Sequence, residues 1–349
     1  MPREIKFYQA IHEAMDQAME VDPRVYIMGL GVPDPKGVFG TTLGLQEKYG
    51  PDRVLDMPVA ENGMTGVALG TAITGMRPIL CHQRMDFSLM AVEQMVNQAA
   101  KWHYMFGGRM RVPLVIRMVV GRGWGQGPQH SQSLQAMFAH VPGLKVVLPA
   151  TPHDAKGLLA ASIEDDDPVI FIEHRWLHNT FGPVPAEHFR VPLGQARVVR
   201  PGRDLTIVAV SYMVLEALRA AEMLAPRGIE AEVIDLRSVK PLDVPTILSS
   251  VRRTGRLIAA DTSWKSFGVA AEIVARAAEE AFEDLKAAPV RAALPDCPVP
   301  TSAAIADLCY PRAIHLAEMG ARLMNRTECF HETRTGPLDV PDASFSGPF

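Results

Sequence analysis

Cysteine is scarce in this chain, with four residues among 349. The four are widely spaced and show neither the paired spacing of a zinc site nor the dense pattern of a disulfide-stabilised secreted domain. The sequence therefore gives no support for a thiolate-bound structural metal, and a reducing compartment suits it. The cysteines are Cys81, Cys297, Cys309 and Cys329.

Long apolar runs and excess positive charge are also missing. No apolar stretch reaches the roughly 20 residues that span a bilayer, and the first residues lack the apolar core of a signal peptide. The formal net charge is −4, which disfavours nucleic acid as the main partner. We therefore expect a cytoplasmic protein that binds neither a membrane nor nucleic acid.

The chain does contain a regular alternation of predicted strands and helices, which favours an α/β fold with parallel sheets and crossover helices. A stretch with several prolines and glycines, 183–202, indicates a linker. It divides a predicted domain at 1–182 from a second at 203–327, and a tail follows at 328–349. Helices are expected, among other places, at 61–74, 87–105 and 131–139.

A single glutamate in a small-residue setting is the most informative feature of the sequence. Glu61 follows the predicted strand 53–57 and begins a helix rich in glycine and alanine. One interpretation is a helix N-terminal acid that complements the macrodipole. The other is a carboxylate positioned to share a proton with a bound heterocycle. The local sequence leaves both interpretations open.

A series of short motifs follows along the chain in a fixed order. Together they resemble the β subunit of thiamine-diphosphate-dependent 2-oxo-acid dehydrogenases, the family with pyruvate, branched-chain and acetoin members. The resemblance implies a transketolase-like pyrimidine-binding domain followed by a transketolase C-terminal-like domain. The motifs are Pro58–Gly63, Asp86-Phe87, Asn97–Lys101, Gln129–Ser133, Pro142–Val147, Asp154–Leu158, Val233–Arg237 and Pro241–Asp243.

The resemblance implies roles for Glu61 and its neighbours. In the family, the matching glutamate bonds a ring nitrogen of the cofactor's aminopyrimidine, which promotes loss of the thiazolium proton. The aromatic residue that matches Phe87 stacks on the aminopyrimidine, and Gln83 and Val59 are implied as further cofactor-binding residues. From pattern alone, Phe87 would be a core aromatic residue, although an offset stack also suits it.

His130 is the second candidate catalytic residue. It lies in a glycine-containing loop, where a lone histidine is ordinarily solvated but is also suited to proton transfer. The resemblance places it over the reacting end of the cofactor, in contact with substrate. Ser131 is expected to be the N-cap of helix 131–139 and not a nucleophile.

Four adjacent acidic residues, 164–167, precede Pro168. On their own they indicate a solvated turn. The resemblance instead implies a structural potassium ion, held by backbone carbonyls near Leu114 and Ser162 and by Asp165 and Asp167. Hard oxygen ligands suit such a cation.

One family element is absent from the sequence. Enzymes of this kind hold magnesium and the diphosphate with a Gly-Asp-Gly segment, and this chain has none. The resemblance therefore implies half a site, completed by an α subunit that carries Gly-Asp-Gly and supplies the magnesium ligands. It further implies a second β subunit, in a heterotetramer, and a lipoyl acyltransferase core as a further candidate partner.

Departures from the family pattern lie close to the predicted site. Leu30 stands where members usually have an acid, Cys81 replaces a usual glutamate, and Arg84 replaces a common aromatic residue. Arg84 is either a ligand for an acidic substrate or a structural or surface arginine.

Two enzyme classes follow from these observations. The first is a β subunit that decarboxylates a 2-oxo acid or cleaves an acyloin and passes the acyl group to a lipoyl arm. The alternative is half of a split transketolase-like or carboligating enzyme, which Leu30 slightly favours. An inactive scaffold subunit is disfavoured by the joint presence of Glu61, Phe87 and His130.

Overall fold

The computed structural model describes residues 3–123 and 125–331. Within them the chain forms two compact units. The first comprises residues 3–121 and 129–193, and the second comprises residues 122–128 and those from 194 onward. Residues 332–349 of the predicted tail lie outside the described residues.

The first unit alternates strands with helices, as the sequence predicts. Its strands are β1 (Arg3–Lys6), β2 (Val25–Gly29), β3 (Val54–Leu55), β4 (Arg77–His82), β5 (Val115–Val120), β6 (Lys145–Val147), β7 (Val169–His174) and β8 (Phe181–Val184). Its helices are α1 (Phe7–Val21), α2 (Leu45–Tyr49), α3 (Glu61–Ile73), α4 (Met85–Ser88), α5 (Ala100–Met105), α6 (Gln135–Ala139) and α7 (Pro152–Glu164).

Six of these strands pair side by side in the order β6-β7-β5-β4-β2-β3, and every pairing among them is parallel. β2, β5 and β7 are buried along their whole length. Strands covered on both faces carry nearly continuous apolar runs, which is the sequence pattern seen here. β1 and β8 form a separate antiparallel ribbon. The predicted α/β class with parallel sheets is confirmed.

The predicted helix 87–105 is helical but not one regular helix. It consists of α4, a 3₁₀ turn at Leu89–Ala91, a π-helical segment at Gln94–Ala99, and α5. Short π segments within α-helices occur frequently at functional sites. Hydrophobic periodicity does not separate these windings, so the sequence could predict only the helical run.

The predicted helix 131–139 is wrong over its first half. Only Gln135–Ala139 is helical, so Ser131 is not a helix N-cap. Residues 132 and 134 are instead bonded to α4, through the side chains of Asp86 and Met85. These tertiary contacts hold Gln132 and Leu134 against α4 without helical backbone bonds.

The second unit has its own sheet, in the order β14 (Val290–Leu294), β13 (Leu257–Trp264), β10 (Leu205–Ala209), β11 (Ala231–Asp235) and β9 (Arg197–Arg200). The pairings are parallel except for the antiparallel pair of β9 with β11. β9 falls inside the segment 183–202, where the sequence predicts no strand. The unit also contains β12 (Ser238–Lys240). Its helices are α8 (Met213–Leu224), α9 (Val244–Thr254), α10 (Val269–Glu280), α11 (Ala303–Ala306) and α12 (Ala313–Leu323).

Candidate active site

The predicted cofactor and catalytic residues follow the carboxyl ends of three parallel strands of the same sheet in the first unit. Glu61 comes after β3, Phe87 comes after β4, and His130 comes after β5. The carboxyl ends of parallel strands lie at one edge of a sheet, and ligands of open α/β sheets bind outside that edge. The topology therefore brings three separate segments toward one region.

Glu61 is the first residue of α3 and is 5% exposed. No side-chain or backbone donor of the described residues forms a hydrogen bond with its carboxylate. A buried carboxylate normally has partners, because an unpaired one is costly to desolvate. The position at the helix N-terminus offsets part of this cost. The carboxylate is thus available to a donor that the described chain does not supply.

Two glycines of α3 have open space around them. A side chain built at Gly63 or Gly70 would meet no other described atom within 4 Å. Val59, which precedes the helix, is 74% exposed, and Val67 is also exposed. One face of α3 in this chain is therefore open and weakly polar.

Phe87 and His130 are in direct contact. Their ring centroids lie 5.3 Å apart and the rings are nearly perpendicular, at 89°. Edge-to-face contacts of this geometry are favourable and orient both rings. Both side chains are half-buried, so each keeps part of its surface open to a ligand.

Gln83 lies against the loop that carries Leu30. Its Nε2 donates to the Leu30 carbonyl at 2.9 Å. The next residue, Gly31, has a φ of +68°, and a side chain there would lie 2.7 Å from Gln83 Nε2. Glycine is therefore required at this turn for conformation and for space. The amide of Gln83 fixes this loop, and its carbonyl oxygen has no described partner.

Arg84 is 2% exposed, so it is not a surface residue. Its Nη1 donates to the Gly121 carbonyl at 2.6 Å, directly after β5. Its guanidinium lies 5.3 Å from the centroid of the Phe39 ring, and the guanidinium of Arg175 lies 5.0 Å from the same centroid. Phe39 has a φ of +52°, which is unusual for a bulky residue and tends to occur where surrounding contacts hold it. Two buried cations thus contact one strained aromatic residue.

A buried ion pair in the same sheet was not predicted from the sequence. Arg117 on β5 and Glu173 on β7 are almost fully buried, with Arg117 Nη2 2.6 Å from Glu173 Oε1. Burial alone would raise the pKa of Glu173, but the Arg117 charge and the His178 side chain outweigh burial and lower it. A charged residue inside each of two apolar strands, Val115–Val120 and Val169–His174, was the available signal.

Cys81, which stands where the family usually has a glutamate, belongs to the same buried region. Arg117 Nη1 points to Cys81 Sγ at 3.5 Å. Burial raises the pKa of the Cys81 thiol, which keeps it protonated. Glu173 from the neighbouring strand pairs with Arg117 in this chain, so the arginine does not need an acid at position 81.

The acidic turn lies at the other edge of the sheet. Leu114 precedes β5 and Asp167 precedes β7, so both are at the amino ends of their strands. Lys145 Nζ lies 2.7 Å from an Asp165 carboxylate oxygen and 3.0 Å from Asp167. The Leu114 carbonyl accepts from the Val169 amide at 2.9 Å.

Further protein donors reach this turn. Arg77 donates to the Asp165 carbonyl at 3.0 Å, and Ser162 Oγ donates to the Leu158 carbonyl at 2.7 Å. No group of three or more His, Cys, Asp or Glu side chains in the described ranges is arranged to hold a metal. Lysine and arginine already compensate the charge of the turn, and the potassium site stays a prediction.

Comparisons with known proteins agree with this architecture. The family described as "Transketolase, pyrimidine binding domain" matches residues 3–179, and "Transketolase, C-terminal domain" matches residues 194–315. The predicted pair of transketolase-like domains is thereby confirmed as the fold.

Curated relatives are more specific. The acetoin:2,6-dichlorophenolindophenol oxidoreductase subunit beta of Cupriavidus necator is 45% identical over 334 residues, covering 93% of this chain and 98% of the relative. The mitochondrial pyruvate dehydrogenase E1 component subunit beta-2 of Oryza sativa is 42% identical, covering 93% of this chain and 87% of the relative. This chain belongs to the family of pyruvate and acetoin dehydrogenase β subunits. The acetoin-type β subunit of Bacillus subtilis is also 42% identical, over 89% of this chain.

A solved structure shares the fold of this β subunit. A split-gene transketolase, described as an inactive β4 tetramer, superposes with a TM-score of 0.76. It covers 93% of this chain and 99% of the other, at 22% identity, so it bears on the fold alone. Separately, no helix of the described residues has the length and apolar character to cross a membrane.

Proposed function

We propose that this chain is the β subunit of a thiamine-diphosphate-dependent enzyme. The enzyme decarboxylates a 2-oxo acid or cleaves an acyloin and then transfers the acyl group. The observation that carries the proposal is the buried Glu61 carboxylate, which has no partner in the described chain. The family to which the chain belongs supplies the matching cofactor, thiamine diphosphate. The Glu61 acceptor and the aromatic Phe87–His130 pair match the polar and aromatic sides of an aminopyrimidine.

Each residue then has a defined task. Glu61 accepts a hydrogen bond from the protonated ring nitrogen of the pyrimidine, and the half-buried Phe87 offers its ring for stacking. Gln83 and Val59 complete the pyrimidine side. Bound there, thiamine diphosphate would supply a carbon nucleophile for a substrate carbonyl. His130 binds the substrate and moves a proton to or from its oxygen.

The chain is proposed to be half of the site. It has no Gly-Asp-Gly segment, so an α subunit carrying that motif would supply the magnesium and diphosphate ligands. The open face of α3, with Val59 and Val67 exposed, is a surface that such a partner would cover. Exposed apolar residues of this kind commonly mark protein interfaces. We extend this to an α₂β₂ heterotetramer served by a lipoyl acyltransferase core.

Calorimetry tests the half-site proposal. The isolated chain should bind thiamine diphosphate weakly with magnesium present, and the complex with its α subunit should bind it tightly. Glu61→Gln in the complex should weaken binding, whereas Glu47→Gln is the control, since Glu47 is also a first-turn acid but on α2. Tight, magnesium-dependent binding by the β chain alone would reject the half-site proposal.

The carboligating alternative rests on Leu30, because a leucine cannot relay protons where the family has an acid. A lipoyl-dependent enzyme should reductively acylate a lipoyl domain. A split transketolase-like enzyme should instead join two carbonyl substrates without one. The two products distinguish the classes directly.

Potassium remains part of the proposal at the acidic turn, with Leu114, Ser162, Asp165 and Asp167 as candidate ligands. Metal analysis of the purified complex, before and after exchange into sodium buffer, tests it.

We also propose a cytoplasmic location, supported by the four free cysteine thiols.

A further inference from the structure

Three consecutive residues at the start of α4 contact three alternate residues of the His130 segment. The Leu134 amide lies 3.0 Å from Met85 Sδ. The side chain of Gln132 bonds to Asp86. The ring of Phe87 packs edge-on against His130. The segment 130–134 is therefore held along α4 at every second residue, and the two residues between these contacts, Ser131 and Ser133, are buried.

Asp86 makes the polar contact at the centre of this series. Its Oδ1 accepts from Gln132 Nε2 at 2.9 Å and from the Gln132 amide at 3.4 Å. One carboxylate oxygen thus fixes both the side chain and the backbone of the residue two positions after His130. A charge-assisted bond of this kind is stronger than a neutral one.

The other oxygen of Asp86 indicates that the carboxylate is not there for stability alone. Asp86 is 9% exposed, and its Oδ2 is buried without a described hydrogen-bond partner. Leaving a buried acceptor unpaired is destabilising, so a residue selected only for stability would be a poor choice. Locally unfavourable groups of this type persist mainly where function requires them.

We infer that Asp86 is a positioning residue for His130, acting through Gln132. The carboxylate fixes the backbone of 130–134 and so sets the imidazole against Phe87 and over the substrate. The inference depends on the proposed function only for the catalytic consequence, because the positioning itself is a property of the free chain.

The first test is hydrogen–deuterium exchange of the full-length chain without cofactor. Asp86→Ala should speed exchange across residues 129–134, most of all at the Gln132 amide, which loses its acceptor. Asp86→Asn keeps one acceptor oxygen and should restore most of the protection. Glu93→Ala is the matched control, because Glu93 Oε1 accepts from Gln98 Nε2 at 2.8 Å in the same helical run but on an exposed site. Unchanged exchange at 129–134 in Asp86→Ala would reject the inference.

The second test is turnover of the complex with its α subunit. Asp86→Ala should lower kcat by roughly 10- to 100-fold, the range for a misplaced group, with a smaller change in KM. Its melting temperature should stay near that of the parent chain, because loss of the Gln132 bond is offset by removal of the unpaired oxygen. Gln132→Ala, which removes the side-chain bond from the partly exposed partner but keeps the amide bond to Asp86, should reproduce part of the loss of activity. Glu93→Ala should have no effect.

The outcomes distinguish the positioning role of Asp86 from the proposed function. Faster exchange with full activity would reject the positioning role while leaving the proposed function intact. If the parent complex turns over no 2-oxo acid, acyloin or pair of carbonyl substrates, the proposed function fails. The exchange experiment then still decides whether Asp86 holds the His130 segment.

Discussion

Arg117 Nη2 lies 2.6 Å from Glu173 Oε1, and neither side chain is more than 2% exposed. The two residues are on adjacent parallel strands, β5 and β7, and Arg117 also reaches Thr41 at 3.0 Å. The pair therefore joins the centre of the sheet to the loop that follows β2. The pair is compatible with a stable fold only while both charges are present, because removing one leaves the other buried without its partner.

Breaking this pair should be strongly destabilising. Arg117→Met leaves Glu173 buried without its main partner, which should lower the free energy of unfolding by about 3–5 kcal/mol. The exposed i,i+4 pair Arg276–Glu280 offers a control, and Arg276→Met should cost at most about 0.5 kcal/mol. Urea titrations measure both. The double variant Arg117→Met/Glu173→Leu should recover most of the loss, and equal effects of the two arginine variants would contradict the assignment.

Variants of Glu61 and of His130 should differ in their effect on exchange of the cofactor's thiazolium proton. Glu61→Gln keeps the side-chain shape but removes the carboxylate, and turnover of the complex should fall by at least ~10²-fold. Exchange of the cofactor's thiazolium proton should slow with it. His130→Ala should slow turnover and leave that exchange nearly intact, because His130 is proposed to act on the substrate. Nuclear magnetic resonance of quenched samples follows the exchange, and unchanged exchange in Glu61→Gln would remove its assigned role.

Arg84 has two possible tasks that a substrate panel distinguishes. If Arg84 binds an anion, Arg84→Phe should weaken use of a substrate with an extra negative charge more than use of a neutral one. If Arg84 instead serves as the donor to the Gly121 carbonyl, Arg84→Phe should slow turnover of all substrates alike. Arg84→Lys keeps the charge but not the planar donor group, so it should preserve the preference for the anionic substrate only in the first case. We predict the selective pattern, and a uniform loss would assign Arg84 to holding the loop.

His82 should make stability depend on pH. Burial lowers its pKa to about 4, from an ordinary value near 6.5. Between these two values the unfolded chain binds a proton that the folded chain does not, so this contribution is present above pH 6.5 and is lost as the pH falls toward 4. The full loss from such a shift is roughly 3 kcal/mol. Denaturant titrations should show a shallower acid slope for His82→Gln. His12, which is only half-buried, provides the control, and a slope in His82→Gln identical to that of the parent chain would contradict the buried neutral histidine.

The sequence by itself determined the class of the fold and the location of the main candidate residues. Continuous apolar runs separated by helical segments lead to parallel strands, because strands covered on both faces cannot carry alternating polar residues. Glu61 is the first residue of its helix, as its small-residue context predicted. These features depend on short-range patterns that a sequence expresses directly.

Only the tertiary structure decided how the site segments are held. The irregular winding of 85–105, the non-helical course of 131–134 and the Arg117–Glu173 pair all depend on contacts between residues far apart in the chain. Local propensity cannot report them, because the partner of a buried polar group is fixed by strand register and helix packing. The sequence determined which chemical groups are present, and the packing of distant segments determined that Asp86 meets Gln132 and that Phe87 meets His130.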